Sequence, residues 1–522
     1  MKIWKNSPTN WTLCTHCKGE GKNRRKISKK TRLQYQKALA KSVTESTLIP
    51  PITPKASYTK CINCSGSGLV KTTNLPEKPL ENYPHVAIIG GGIGGVALAV
   101  ACLHRQIPFT LYERDSSFDA RAQGYGLTLQ QASKAIQALG ILKLREGVVS
   151  TKHIIHTTQG KIIGEWGMRK WLDSTNNFNN KISESKPDNN AENKSSKRTN
   201  IHIARQSLRF ELLEQLTNKD QVKWGYQLID FKEYQGNKQL KEVEENKKIA
   251  IKNDQKVKKT NEKVQLTFQV NGKIKTAQAD IVVGADGIRS SVRSLLLGNK
   301  NPPLRYLGCM VILGICPLDA LNGLENPLLD SATVFQTANG NERIYMMPYS
   351  ADSVMWQLSF PISEEAAKIL SKKGAKALKE EACRRTPWHE PIPQILAATL
   401  ADKISGYPVY DRELLSSEVL EKSEKITLIG DAAHPMSPFK GQGANQALLD
   451  ALSLARTISK KCGRLSDWQT QGIRKRVLTD FEAEMLARSA SKVKGSAAAV
   501  KFLHSDVVLQ EGNEPRGRDL NR

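Results

Sequence analysis

The run Gly90-Gly91-Gly92-Ile93-Gly94-Gly95 constrains the fold of this chain more than any other stretch. It follows a short apolar segment, Val86-Ala87-Ile88-Ile89, and opens a helical-looking segment from Val96 to Arg105. Phe109-Thr110-Leu111-Tyr112 then reads as a second strand that ends at Glu113. Strand, glycine turn, helix and strand make a βαβ unit, so the expected fold class is α/β. In Gly90-x-Gly92-x-x-Gly95 the first glycine allows the tight turn. The second lets the backbone approach a pyrophosphate, and the third permits close helix–strand packing. Phosphates then sit at the helix N-terminus, where free N–H groups and the dipole favour negative charge. Glu113, 18 residues after Gly95, stands where a carboxylate accepts hydrogen bonds from a ribose. Arg114 joins it as a candidate cofactor contact.

Val86 to Leu103 is also the longest apolar run, at 18 residues. Five of those residues are glycine, which suits a turn better than a lipid-facing helix, so no transmembrane segment is expected. Met1 to Leu13 contains no apolar stretch of the secretory kind. Four of the nine cysteines form two tight pairs and the others are scattered. That fits a reducing compartment, and a cytoplasmic location is expected. The basic N-terminus leaves organelle targeting open.

Two later segments narrow the ligand. Ala279 to Arg293 (ADIVVGADGIRSSVR) is a strand running into Asp286-Gly287. Ile426 to Ala451 begins with another strand, running into Gly430-Asp431, and passes through the turn Gly441-Gln442-Gly443 into a helix with Ala444 and Asn445 in its first turn. Both place a carboxylate at the C-terminal end of a strand, the usual ligand edge of an α/β sheet. Asp431 is suited to ribityl hydroxyls. The helix N-terminus at Gly443 would face a flavin pyrimidine edge, which is negative when reduced.

Taken together, these three segments resemble the fingerprints of class A flavoprotein monooxygenases, the para-hydroxybenzoate hydroxylase group. The resemblance covers roughly residues 84–503, apart from two polar inserts. It implies a Rossmann-like FAD-binding domain of the GR2 type, a β-sheet substrate domain and C-terminal helices. Ile203-Ala204-Arg205-Gln206-Ser207-Leu208 resembles the Arg-x-x-Leu helix start of that family, which implies that Arg205 touches FAD. Arg121, in the segment Arg121 to Gly126, is implied as a flavin or NADPH contact. Pro438 is implied to lie near the ring, and the backbone at Gly443 and Ala444 to bind its polar edge. The implied reaction uses NAD(P)H and O2. The reduced flavin takes up oxygen at C4a, and the resulting hydroperoxide hydroxylates a small aromatic or polycyclic substrate. The flavin carries the chemistry, so no catalytic side chain is assigned.

The N-terminal stretch is a separate unit. Cys14-Thr15-His16-Cys17-Lys18-Gly19-Glu20-Gly21 and Cys61-Ile62-Asn63-Cys64-Ser65-Gly66-Ser67-Gly68 share the pattern CxxCxGxG. Four thiolates are the donor set of a structural zinc site, and the glycines let N–H groups turn toward the sulfurs. A redox dithiol pair or unliganded loop cysteines are the other readings. The pattern resembles the cysteine-rich zinc repeats of DnaJ-type chaperones, with two repeats here rather than four.

The chain carries a formal charge of +27. Residues 1–80 hold 16 Lys/Arg against 3 Asp/Glu, which supplies +13 of it. A solvated lysine-rich surface accounts for this. So would an anionic or protein partner of residues 1–80. The expected organisation is a basic extension with a four-cysteine zinc site over 1–80 and a FAD-binding domain over 84–300, with polar inserts at 173–200 and 242–263. A substrate-domain sheet follows over 301–420, then the Gly-Asp segment and helices over 421–505, and a tail over 506–522. The alternatives to aromatic hydroxylation are a quinone or isoprenoid substrate at a membrane surface, or an N-terminal unit acting as a zinc-dependent protein or nucleic-acid binding module.

Overall fold

The computed structural model describes residues 10–44, 53–54, 57–72, 82–120, 124–130, 132–168, 200–216, 218–233, 263–463 and 466–515. Arg121, the linker prolines Pro76 and Pro79, and the two expected inserts (apart from Asn200 and Lys263) lie outside the described residues.

Strand, turn and helix fall where the apolar patterning puts them. Val86–Ile89 is buried along its whole length and sits at the centre of a five-stranded sheet. The order is Val222–Trp224, Phe109–Glu113, Val86–Ile89, Ile281–Gly284 and Ile426–Leu428, all parallel. Neighbours on both sides explain why these strands read as continuous apolar runs. The two carboxylate-bearing segments therefore emerge side by side with the glycine turn, at one edge of the sheet. Helix Ile93–Leu103 packs on this sheet and against helix Gly443–Lys461.

A second sheet has seven strands, ordered Ile162–Trp166, Lys152–His156, Thr333–Ala338, Arg343–Ser350, Ser353–Pro361, Arg305–Pro317 and Ile404–Asp411. Its core holds Phe335, Trp356 and Phe360. Five of its strands fall within the stretch expected as the substrate-domain sheet, 301–420. The domain limit at residue 300 is corrected by this sheet, because two of its strands come from residues 152–166. Lys152–His156 pairs in parallel with Thr333–Ala338 across a long sequence separation. The expected tail at 506–522 is also more than a tail over its described part. Gly512 N–H donates to the Ile163 carbonyl at 2.9 Å, and Glu165 N–H to Asn513 Oδ1 at 3.0 Å. It thus lies along the outer strand of the sheet.

The N-terminal unit is built from two short antiparallel pairs, Asn10–Leu13 with Leu69–Thr72 and Lys22–Arg24 with Tyr58–Lys60. Helix Lys29–Thr44 fills the long gap between the two cysteine pairs. Among the described residues, no helix is long and apolar enough to cross a membrane.

Candidate functional site

The glycine turn is shaped by contact on one side and open on the other. A Cβ on Gly95 would lie 1.9 Å from the Gly90 carbonyl oxygen, and one on Gly90 would lie 2.6 Å from the Ala285 carbonyl. At Gly92 the nearest atom to such a Cβ is Arg205 Nη2, at 3.9 Å. Gly92 caps helix Ile93–Leu103 in an extended conformation, with no side chain on the first N–H groups. Those donors, the space above Gly92 and the Arg205 guanidinium form an anion cradle.

Glu113 is buried, and its carboxylate accepts from Gly91 N–H at 2.7 Å and Asp115 N–H at 3.0 Å. It is held at the strand end beside the turn. Arg114 is exposed on the same edge. Arg209, one helical turn after Arg205, was not foreseen. Its Nε donates to the Gly91 carbonyl at 2.6 Å, and its guanidinium lies over the rings of Phe118 and Trp224. The i, i+4 spacing from Arg205 is the signal that could have found it.

Two expected cofactor residues have their side chains occupied by protein. Asp286 accepts from Ser290 Oγ at 2.5 Å, Ser291 N–H at 2.7 Å and Val292 N–H at 3.2 Å. It thus takes the first two N–H groups of helix Ser291–Leu297, whose N-cap is Ser290, and its backbone backs the Gly90 turn; Gly287 follows at the same edge. Asn445 is fully buried. Its Oδ1 accepts from Gln130 and Ala132 N–H, and its Nδ2 donates to the Thr128 and Gly441 carbonyls at 2.8 and 2.7 Å. These side chains fix the loops whose backbones face the site.

Asp431 differs. It faces a cavity of about 850 Å³ together with Pro438, Gly443 and Ala444. Enclosure in protein raises its carboxyl pKa, while His434 and Arg205 pull it down. A Cβ on Gly443 would stand 3.5 Å from Asp431 Oδ1. Behind Asp431, His434 Nε2 meets Asp450 Oδ2 at 2.7 Å. Asp450 also accepts from Gly430 N–H at 2.8 Å and from Arg488 at 2.7 Å. Burial opposes charge on His434, but the Asp450 carboxylate outweighs it and lifts its pKa. Burial would likewise raise Asp450, but His434 and Arg488 bring it below the ordinary value.

The opposite wall of the cavity is the seven-stranded sheet, through Arg343, Tyr345, Met347, Gln357 and Tyr407. Arg343 is 5 % exposed and donates from Nε to Gln336 at 2.8 Å. Burial pulls its pKa down to about 10. A smaller cavity of about 180 Å³ shares Arg343, Tyr345, Phe439, Lys440 and Pro515 with the large one. Pro515, from the tail, lines both and was also not foreseen.

The four N-terminal cysteines are brought together. Their sulfurs all lie within 4.8 Å of one another and are buried. Cys14 and Cys61 Sγ are 3.9 Å apart, and Cys17 and Cys64 Sγ 3.7 Å. A tetrahedral site with metal–sulfur bonds of about 2.3 Å puts sulfurs about 3.8 Å apart, whereas a disulfide bond is about 2 Å long. Gly21 N–H donates to Cys17 Sγ and Gly68 N–H to Cys64 Sγ, each at 3.2 Å. The two repeats face each other closely: a Cβ on Gly21 would lie 2.3 Å from the Gly66 carbonyl, and one on Gly68 2.3 Å from that of Gly19.

A family model described as FAD binding domain matches residues 83–464. The aurachin C monooxygenase/isomerase of Stigmatella aurantiaca is 33% identical over 182 residues, covering 35% of this chain and 43% of that protein. A FAD-dependent monooxygenase of Monascus ruber, pigN, is 27% identical over 377 residues, covering 71% of this chain and 75% of its own length. The solved structure of 2,6-dihydroxypyridine-3-hydroxylase from Arthrobacter nicotinovorans superposes with a TM-score of 0.60 at 15% identity, covering 84% of this chain and 96% of that one. The match spans less than half of the first relative and three quarters of the second.

Proposed function

From the premise that this chain belongs to the FAD-binding monooxygenase family, we propose that it uses NAD(P)H and O2 to hydroxylate a small aromatic substrate. One observation carries the reading. A single cavity joins the cofactor-facing loop Asp431–Ala444 to a wall of the second sheet bearing aromatic rings and a buried arginine. When bound, FAD supplies the redox and oxygen chemistry. The protein's part is to bind, orient and exclude water. The anion cradle at Gly92 and Arg205 holds the diphosphate, with Glu113 beside it for the ribose. Asp431 takes the ribityl hydroxyls. The N–H groups of Gly443 and Ala444, at the start of a helix, stabilise negative charge at the ring edge. Pro438 lines the same cavity and would help to hold the ring there.

The substrate would occupy the part of the cavity lined by Tyr345, with an acidic substituent directed at Arg343. The support is chemical. No carboxylate among the described residues is paired with Arg343, and a buried guanidinium recruits an anion. The nine cysteines are unpaired, which fits the expected reducing, cytoplasmic location. The sulfur spacing at Cys14, Cys17, Cys61 and Cys64 supports one structural zinc ion.

The test is a screen of aromatic acids and phenols for stimulated NADPH and NADH oxidation, with product mass checked for one added oxygen. Colourless protein that takes up no FAD on reconstitution would sink the reading.

A further inference from the structure

The cysteine unit is seated on the flavin-binding domain. Trp11, on the strand leading into Cys14, brings its indole nitrogen within 2.7 Å of the point where a Cβ on Gly140 would stand. His104 and Gln215 approach the same point at 2.8 and 2.9 Å. His104 is the C-cap of helix Ile93–Leu103, and Arg105 follows it. Arg105 is 2 % exposed; its Nη1 donates to the Ala101 carbonyl at 3.0 Å, and its Nη2 has no partner among the described residues. Arg456 projects from the last turns of helix Gly443–Lys461, and its buried Nε also lacks a partner among the described residues.

The Arg456 cation depresses Arg105. Burial lowers both pKa values, and Arg456 lowers that of Arg105 further. Glu20, Cys17 and Cys64 act on Arg456 in the opposite direction, and Glu20 does so on Arg105. Guanidiniums taken out of water need counter-charge, and the one carboxylate Glu20 is shared between the two. A divalent ion held by four thiolates keeps net negative charge, and two of those thiols, Cys17 and Cys64, already act on Arg456. The placement also matters. The two helices begin at Gly92 and Gly443; the first ends at His104, against Trp11, and the second carries Arg456, on which Glu20, Cys17 and Cys64 act. Their 11 and 19 residues span about 16 and 28 Å at about 1.5 Å each.

We propose that the Cys14–Cys17–Cys61–Cys64 unit, loaded with zinc, is a clamp on the flavin-binding domain that joins the far ends of the two cofactor-binding helices through Trp11, Arg105 and Arg456, so that metal occupancy sets how firmly flavin is held. This rests on the metal part of the reading above and replaces a free-standing binding module with an internal partner. A metal that binds the folded unit stabilises everything that unit holds in place.

The experiment uses the full-length flavoprotein. Metal is counted by mass spectrometry. Flavin release is followed by its fluorescence, and the thermal transition is measured on the same samples. Wild type is compared before and after chelation, and with Cys64→Ser, Trp11→Ala and Arg456→Met. The expected result is one zinc per chain, with flavin release about tenfold faster and a lower transition once the metal is removed. Trp11→Ala should show the same acceleration while still holding its metal, and Arg456→Met should lose zinc to chelator more readily. Unchanged flavin release and transition after metal loss would overturn the clamp. So would a protein that takes up neither zinc nor cobalt. Wild type that binds zinc but no flavin would fault the FAD reading instead, and the clamp would still be read from the thermal transition.

Discussion

The carbonyl oxygen of Gly90 lies 1.9 Å from the position a Cβ on Gly95 would occupy. The obstacle is backbone, in a turn wedged against Ala285 and Asp286, so it cannot rotate away. Gly95→Ala should therefore cost about 3 kcal/mol or more and open the phosphate cradle. The expected outcome is protein with little bound flavin, read from the flavin-to-protein absorbance ratio, and a lower urea midpoint. Gly92→Ala meets nothing closer than 3.9 Å. It should fold normally and lose flavin affinity only. Equal unfolding of both variants would contradict this division of roles.

Asn445 makes its four hydrogen bonds to backbone groups on two elements, the Gly126–Leu129 strand region and the Gly441 turn. Asn445→Ala leaves the Gln130 and Ala132 donors buried without partners, which should destabilise by about 3 kcal/mol. Urea unfolding of the apoprotein isolates this from any cofactor contact. A loss confined to the flavin-bound form would mean that the side chain binds cofactor directly.

Arg343 is the test of substrate charge. Arg343→Met keeps much of the buried stem and removes the cation. For an aromatic acid, kcat/KM should fall about 100-fold, mostly through KM. For the uncharged analogue the change should be small. Steady-state NADPH oxidation with both substrates measures it, and equal losses would assign Arg343 to packing.

The parts of the site that follow from local chemistry were legible in the sequence. The strand–glycine–helix unit, the strands ending at Asp286 and Asp431, and the paired cysteines each carry their signal within a short stretch of chain. What local patterning hides is partnership. Lys152–His156 is a short strand ahead of a polar stretch, and its membership of the second sheet is decided by Thr333–Ala338, far along the chain. Asp286 looks like a ligand because it ends a strand, yet Ser290 to Val292 offer it donors within six residues. Asn445 shows the same effect across more than 300 residues. Pro515 reaches the cavity because the tail bonds to the outer strand, a contact with no motif.

The His434–Asp450 pair makes cofactor retention pH-dependent, and the sign follows from the shifts. His434 is raised above its ordinary 6.5. Its contribution is therefore fully present below 6.5 and fades as pH rises through the folded value. Asp450 is lowered below its ordinary 3.8, so its contribution is present above 3.8 and fades only as pH falls through the folded value. Between these limits the pair holds Gly430, and with it Asp431, in place. Flavin release should thus accelerate on the alkaline side, as pH rises above 6.5 and through the raised folded value of His434. His434→Gln keeps a donor toward Asp450 but cannot titrate. It should release flavin faster than wild type near roughly pH 6 and show no alkaline acceleration. Flavin fluorescence followed across that range in both proteins decides the matter, and an alkaline rise that survives in His434→Gln would assign it to another group.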